Sequence, residues 1–335
     1  MKQQDEIRGL LYAYRELAEF EPVKEYKDEN GNVGLSANLN PSREVYRLAI
    51  IDLETKVTHK TSITTGSCMT DMLWQHGSLW VACNGGVYHP SSGKKIDKPA
   101  RQLITLEGKL YAHNNAEFFE VDTGNTIVSE DECKSAGILN IIAIVPYKKG
   151  LLALATTPYK KHGGDYNTLE YFSIRKTKNG WEIQHLAQHP GSGKRDFPFW
   201  HDVGPQHMPL MINVNDYILS TSGWCGGSIY VQKDVTEESI TKVHAKDCPG
   251  FLAYDRTRRK LFVQAESTWV DRDYYIHDVT QKKKQISIDV NPERLHDLFD
   301  YNKSKAAVSF LYITKSQMDE LLAKHAQGPV QKTLW

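Results

Sequence analysis

With 335 residues, 40% of them hydrophobic and 24% charged, the chain is long enough to bury a large core and has the balance of a soluble globular protein. Lys plus Arg equals Asp plus Glu at 41 each, which excludes a global electrostatic pull toward nucleic acid or anionic lipid. The five cysteines, Cys68, Cys83, Cys133, Cys225 and Cys248, are odd in number and include no Cys-x-x-Cys pair. That argues against a zinc ribbon or thioredoxin-type centre and for free thiols in a reducing compartment.

The chain opens Met1-Lys2-Gln3-Gln4-Asp5-Glu6, without the apolar segment of a secretory leader. No run approaches the roughly 18 uncharged apolar residues of a membrane span. The expectation is a cytoplasmic protein with no membrane partner. Within residues 4–20, Ile7, Leu10, Leu11, Tyr14, Leu17 and Phe20 recur at helical spacing. This predicts an N-terminal helix, packed on the main domain or offered for self-association. Residues 27–44, rich in Asn, Gly, Asp and Ser and closed by Pro41, read as a polar loop. Residues 1–44 are thus expected to precede a β-domain over 45–315, with a C-terminal helix and tail over 316–335.

From residue 45 the chain is almost all strand. Gly77-Ser78-Leu79-Trp80-Val81-Ala82-Cys83-Asn84-Gly85-Gly86-Val87-Tyr88 and Gly108-Lys109-Leu110-Tyr111-Ala112-His113-Asn114-Asn115-Ala116-Glu117-Phe118-Phe119 run alike. Each goes from a glycine turn into a buried strand, across a small polar loop and along a second strand. Repetition at this spacing is the signature of a stacked or radial β-architecture. Inner strands are predicted near 70–75, 102–106, 140–145, 209–213, 250–254 and 295–299. Each is followed by a second apolar strand, at 78–82, 109–112, 151–155, 217–221, 260–264 and 305–312. Third and fourth strands follow in five units, such as Val87–His89 with Lys94–Ile96.

The sixth unit stops after two strands, where Ser316 and Asp319 predict a short C-terminal helix. Tyr46–Leu53 and Val57–Lys60 read as a third and fourth strand with nothing before them. Pairing these pieces across the chain ends closes a ring and removes its sheet edges. The expected fold is all-β: a single β-propeller of six four-stranded blades, closed by N-terminal outer strands pairing with C-terminal inner strands, with short N- and C-terminal helices. The long interval before the fourth inner strand leaves room for a seventh blade near 170–200.

The phrase Leu79-Trp80-Val81-Ala82-Cys83-Asn84-Gly85-Gly86-Val87-Tyr88 resembles the blade repeat of two-component-regulator propellers and, next to it, that of YVTN-type propellers. Leu110-Tyr111 and Val121-Asp122-Thr123-Gly124 carry a weaker version. No Trp-Asp dipeptide recurs at blade ends as in WD repeats. The resemblance implies a propeller and no particular activity.

In a four-stranded blade, loops joining strands two and three open on the same face as loops joining successive blades. Every long loop falls on that face: Thr156–Asn167, Gln188–His207, Ser222–Gly227 and Glu266–Asp273, all in the third to fifth blades. Their aromatic anchors and charges make Lys160, Lys161, His162, Arg195, Phe199, Trp200, His201, Trp224, Trp269, Asp271 and Arg272 the candidate ligand-binding set. The same aromatics can also pin long loops to the ring. The expected function is a non-enzymatic binding scaffold for a protein segment or a small polar ligand, without a cofactor.

The alternative rests on His185, His189, His201 and His207, which crowd one segment with Asp202. His189, His201, Asp202 and His207 would be the ligands of a divalent metal. That reading makes the protein a metal-assisted hydrolase or lyase acting on a small polar substrate at the mouth of the central channel. Their spacing matches no ligand motif. Gly191-Ser192-Gly193-Lys194 lacks the upstream glycine and the hydroxyl of a phosphate loop, and no Gly-x-Ser-x-Gly elbow occurs. Asp71, Asn140, Asn213 and Asp297 are the inner-strand polar residues that a water-lined channel would present.

Overall fold

Strands that are apolar at successive positions must be covered on both faces, and this chain satisfies them by standing its sheets side by side around an axis. The computed structural model describes residues 6–19, 24–27, 29–30, 33–36, 43–158, 167–178, 180–192, 211–221, 228–236, 240–244, 248–256, 259–266, 272–282, 285–289, 293–294 and 307–332. In chain order, β1 (Ile7–Glu19) is followed by a hairpin of β2 (Lys24–Lys27) and β3 (Val33–Ser36), then β4 (Arg43–Asp52) and β5 (Val57–Thr65). The first blade is β6 (Met69–Gln75), β7 (Ser78–Cys83), β8 (Gly86–His89) and β9 (Lys94–Ile96). The second is β10 (Gln102–Leu106), β11 (Lys109–His113), β12 (Phe118–Glu120) and β13 (Thr126–Val128), and helix α1 (Glu130–Ser135) leads onward.

The third blade is β14 (Asn140–Tyr147), β15 (Gly150–Pro158), β16 (Asn167–Thr177) and β17 (Gly180–Gln188). The fourth is β18 (Met211–Val214), β19 (Tyr217–Thr221), β20 (Ser228–Gln232) and β21 (Thr241–His244). The fifth is β22 (Cys248–Asp255), β23 (Lys260–Glu266), β24 (Arg272–Lys282) and β25 (Gln285–Ile288), with β26 (Glu293–Arg294) also on β24. The chain ends with β27 (Ala307–Thr314), helix α2 (Lys315–His325) and β28 (Ala326–Lys332). The closing blade orders its strands β27-β1-β4-β5-β28. The innermost strands β6, β10, β14, β18, β22 and β27 neighbour one another in turn, and β27 returns to β6. The protein is a six-bladed β-propeller.

Alternation along each strand supplies two cores at once. On the second blade, Leu103, Leu110 and Phe119 pack toward the first blade with Trp80, Ala82 and Val87. Their sequence neighbours Ile104, Tyr111 and Phe118 pack toward the third with Ile144, Leu151 and Phe172. The remaining four junctions are filled the same way. Each buried Leu, Ile or Phe contributes about 1.5–3 kcal/mol, so adhesion between blades is set by one continuous zig-zag of apolar positions.

Residues 7–19 form no helix; they are β1, the second strand of the closing blade. Leu11 and Ala13 pack toward the first blade, and Leu10, Tyr12 and Tyr14 toward the fifth. A strand buried on both faces is apolar at nearly every position, and Ile7, Leu10, Leu11 and Tyr14 fall at helical spacing as a by-product. Closure is therefore not two strands from each end. The N-terminus gives the second, third and fourth strands, and the C-terminus gives the innermost strand β27 and the added outer strand β28. The 305–312 segment is thus innermost rather than second, and 295–299 lies outside the described residues. Residues 167–188 are the outer strands of the third blade, which removes the seventh blade. Helix α2 starts two residues earlier than Ser316 would place its cap. The Thr314 hydroxyl accepts from Gln317 N–H, and the Gln317 side chain accepts from Thr314 N–H.

Candidate functional site

The two faces of the ring are built from different turns. On one, β6–β7 and β10–β11 are joined by His76-Gly77 and Glu107-Gly108, with φ of 51° and 73°, and 51° and 76°. Both central residues are left-handed, as a two-residue hairpin on twisted strands requires. Lys148, Asn215 and Arg259 hold φ of 52°, 55° and 56° at the matching turns of the next three blades. This turn face is also cross-tied between blades: Gln75 Nε2 donates to Gly108 O at 2.8 Å, and Asn215 Nδ2 to Gln281 Oε1 at 3.0 Å. Asp234 accepts from Tyr147 Oη at 2.5 Å and pairs with Lys148 Nζ at 2.7 Å.

The opposite face carries the elaboration. Pro158 and Asn167, Gln188 and Met211, Thr221 and Ser228, and Glu266 and Arg272 are strand ends on that face. The expected loops leave from these ends. The face is also richer than expected elsewhere. Helix α1 sits between the second and third blades, capped by Ser129 and Glu132 and pinned through buried Cys133. The β2–β3 hairpin rises between β1 and β4 of the closing blade.

Lys160, Lys161, His162, Arg195, Phe199, Trp200, His201, Trp224, Trp269 and Asp271 lie outside the described residues, as do Asp202 and His207. Arg272 is placed as the first residue of β24, opposite Glu266. His185 is on β17 with Nε2 2.8 Å from Glu170 Oε2. His189 is fully buried at the third-to-fourth blade junction, where its neighbours fix its chemistry. Gly191 N–H donates to Nδ1 at 3.0 Å, so the ring proton is on Nε2, which faces Ser220 Oγ at 3.0 Å. Ser220 Oγ in turn meets Tyr171 Oη at 2.7 Å, and Tyr171 donates to Gln232 Oε1 at 3.1 Å.

The result is one directional chain, His189 to Ser220 to Tyr171 to Gln232, linking two blades with every donor used. Burial pulls the His189 pKa down to about 3 and pushes the Tyr171 hydroxyl up. A neutral imidazole with its lone pair on Nδ1 occupied by a backbone N–H offers no free nitrogen to a metal. Nor can it act as base toward Ser220, because it already donates to that oxygen.

A second polar group lies at the loop-face mouth of the channel. Asp71 Oδ2 accepts from Leu103 N–H and Oδ1 from Met72 N–H, both at 2.8 Å. Gln102 Oε1 accepts from Ile144 N–H at 2.8 Å and lies 3.1 Å from His113 Nε2. Innermost strands expose N–H groups that no ladder partner reaches, and each of these side chains satisfies one on the following blade. Asn213, near the turn face, ties in the other sense, donating to Pro146 O of the preceding blade at 2.7 Å. Asn140 Nδ2 reaches Thr156 Oγ1 at 3.5 Å, and Asp297 lies outside the described residues. Burial raises the Asp71 pKa to about 7 against the two backbone donors. Burial also lowers that of His113 to about 4, opposed by Asn114 O and reinforced by the charge of Arg101.

No family model matches the chain, and no curated protein matches it. Among solved structures it is similar to TolB from Acinetobacter baumannii, at 11% identity and a TM-score of 0.37, over 81% of this chain and 61% of that one. It is also similar to a quinonprotein alcohol dehydrogenase-like protein from Bacteroides thetaiotaomicron, at 11% identity and a TM-score of 0.36, over 91% of each chain. At those identities and scores the likeness adds nothing to the architecture that the strand pairings define. No helix among the described residues is long and apolar enough to cross a membrane.

Proposed function

We propose that the chain is a non-enzymatic binding scaffold whose loop face, over the third to fifth blades, takes a protein segment or a polar ligand. The observation that carries this reading is the asymmetry of the two faces. On one face the first and second strands of four blades meet in left-handed two-residue turns, whereas the other face carries the longest connections, a helix and a hairpin, between second and third strands or between blades. Loops held at both ends by rigid strands are where recognition residues are best presented. Those over the third to fifth blades contain Trp200, Trp224 and Trp269 among Lys160, Lys161, His162, Arg195, Asp271 and Arg272. Large flat side chains lose few degrees of freedom on contact, and the adjoining charges give orientation.

The histidine reading of a hydrolase or lyase loses support from His189, whose ring is consumed in the inter-blade chain. Trp200, Trp224 and Trp269 are to be replaced singly by Ala and each variant compared with the parent in affinity capture. At least one replacement is expected to weaken a partner held by the parent about tenfold or more, with the melting temperature unchanged. Capture of every such partner at parental strength by all three variants would refute the reading. So would stoichiometric metal in protein purified without chelators.

A further inference from the structure

β28 lies outside the four strands that make the closing blade, and it is held there on thin terms. Along the outer edge of β5, Ala326 stands opposite Thr61, Pro329 opposite His59, Val330 opposite Thr58 and Lys332 opposite Val57. The register shifts twice within that short run, and Pro329 has no N–H to give the ladder. The side chains of Ala326 and Gln327 are exposed. Two polar contacts clasp the strand at its start: Gln327 Oε1 accepts from Arg47 Nη1 at 2.8 Å, and His325 Nδ1 lies 3.4 Å from Ser62 Oγ. Arg47 also donates to Glu16 Oε2 at 2.7 Å and to Thr61 O at 2.6 Å, so its place does not depend on β28.

The root of the strand is firm by contrast. Met318 and Leu321 of α2 are buried in the core between the closing and first blades. Ala326 N–H still donates to Leu322 O as the helix cap, yet its φ of −63° and ψ of 135° already belong to the strand. No linker separates helix from strand, so rotation about this one residue swings β28 away as a unit. That uncovers the edge of β5 over Val57–Thr61, a row of backbone groups open to another strand. Hinges too short to relax invite exchange between copies. The fold itself shows which segment fits this edge, and every second copy of the chain brings it.

We propose that two copies of the chain trade β28, each laying its strand on the other's β5 to form a closed dimer. Contacts made within one chain are remade between two, so the exchange ends at two-fold symmetry and leaves neither β5 bare. Only the closing blade takes part, which makes the exchange independent of the binding face proposed over the third to fifth blades.

Cysteine trapping on the full chain tests it. Thr58→Cys and Val330→Cys are made separately, one of them isotopically heavy, then mixed, concentrated and treated with oxidised glutathione. A disulfide-linked heavy–light dimer is expected, rising with concentration and lost when either variant is mixed with the parent. A short Gly/Ser linker inserted between His325 and Ala326 slackens the hinge and should cut that product about tenfold. The double variant, kept dilute, should close within one chain, and chains so locked should no longer dimerise. Closure of the double variant within one chain, with no heavy–light product from the mixture, confines β28 to its own β5 and overturns the proposal. A double variant that closes in neither way, or linkage of Thr58→Cys to a cysteine of the parent, puts some other segment on the edge and overturns it as well.

Discussion

Between Gln75 and Ser78 and between Leu106 and Lys109 the chain reverses in two residues, at the cost of left-handed φ at His76 and Glu107. On the opposite face β7 and β8 also reverse in two residues, Asn84-Gly85, but other connections there are long enough to hold α1, the β2–β3 hairpin and the segments 159–166 and 193–210. The ladder hydrogen bonds and apolar alternation are alike at both ends, so neither compels the difference. The turn face is fixed by backbone geometry and by ties between blades. The loop face has inter-blade ties of its own through Asp71, Gln102 and His189, and what sets it apart is the length of the connections that leave it.

Acid is the strongest lever on this comparison, because the buried imidazoles His113 and His189 both belong to polar groups at loop-face junctions. Their folded pKa values, near 4 and 3, lie below the ordinary 6.5. The stability this represents is present above pH 6.5 and is lost as pH falls toward those values. Each imidazole contributes a slope of about 1.4 kcal/mol per pH unit. Asp71 acts in the opposite sense. Its pKa is raised to about 7 from 3.8, so its contribution is present below 3.8 and lost as pH rises toward 7. Chemical denaturation between pH 7 and 4.5 should therefore show a net loss of roughly one proton's slope. Asp71→Asn should steepen that loss, and His189→Gln should flatten it. Hydrogen exchange should quicken at Gly191 and Ile144 before Val279, whose N–H donates to Arg259 O at the turn face; the reverse order would break the distinction between faces.

The next effect is steric. A Cβ on Gly150, at the β14–β15 turn, would stand 2.6 Å from Ile174 O. Gly150→Ala should cost about 2–3 kcal/mol in a urea melt. Shortening segment 159–166 on the opposite face should cost less than about 0.5 kcal/mol, and similar losses at both places would remove the contrast. Tyr171→Phe comes third. It leaves Ser220 Oγ and Gln232 Oε1 without their partner and should cost about 1–2 kcal/mol. The smallest change is a gain: Glu107→Asn suits the left-handed position before Gly108 and should add about 0.5 kcal/mol.

The blades were legible because two physical periods repeat together, strand alternation and tight polar turns. Ser78–Cys83 and Lys109–His113 begin where pattern alone puts them and each runs one residue further. What failed is instructive in the same terms. Ile7, Leu10, Leu11 and Tyr14 satisfy helical and doubly buried strand patterns equally, and only the need of β27 for a partner decides between them. The short α1 has a full capping box in Ser129 and Glu132, a local signal that went unread beside the strand repeat. The fate of His189 was illegible for a different reason. Its partners Ser220, Tyr171 and Gln232 come from distant strands, so no spacing within 185–207 could reveal that the ring was taken.

The closing sheet has a consequence for how the molecule comes into being. Residues 7–65 are made well before β27 and β28, the strands that flank them. Until those strands follow, β1 and β5 carry naked edges. A product truncated before β27 is an open arc with adhesive borders, so the arrival of β27 and β28 and the burial of that sticky rim are a single event.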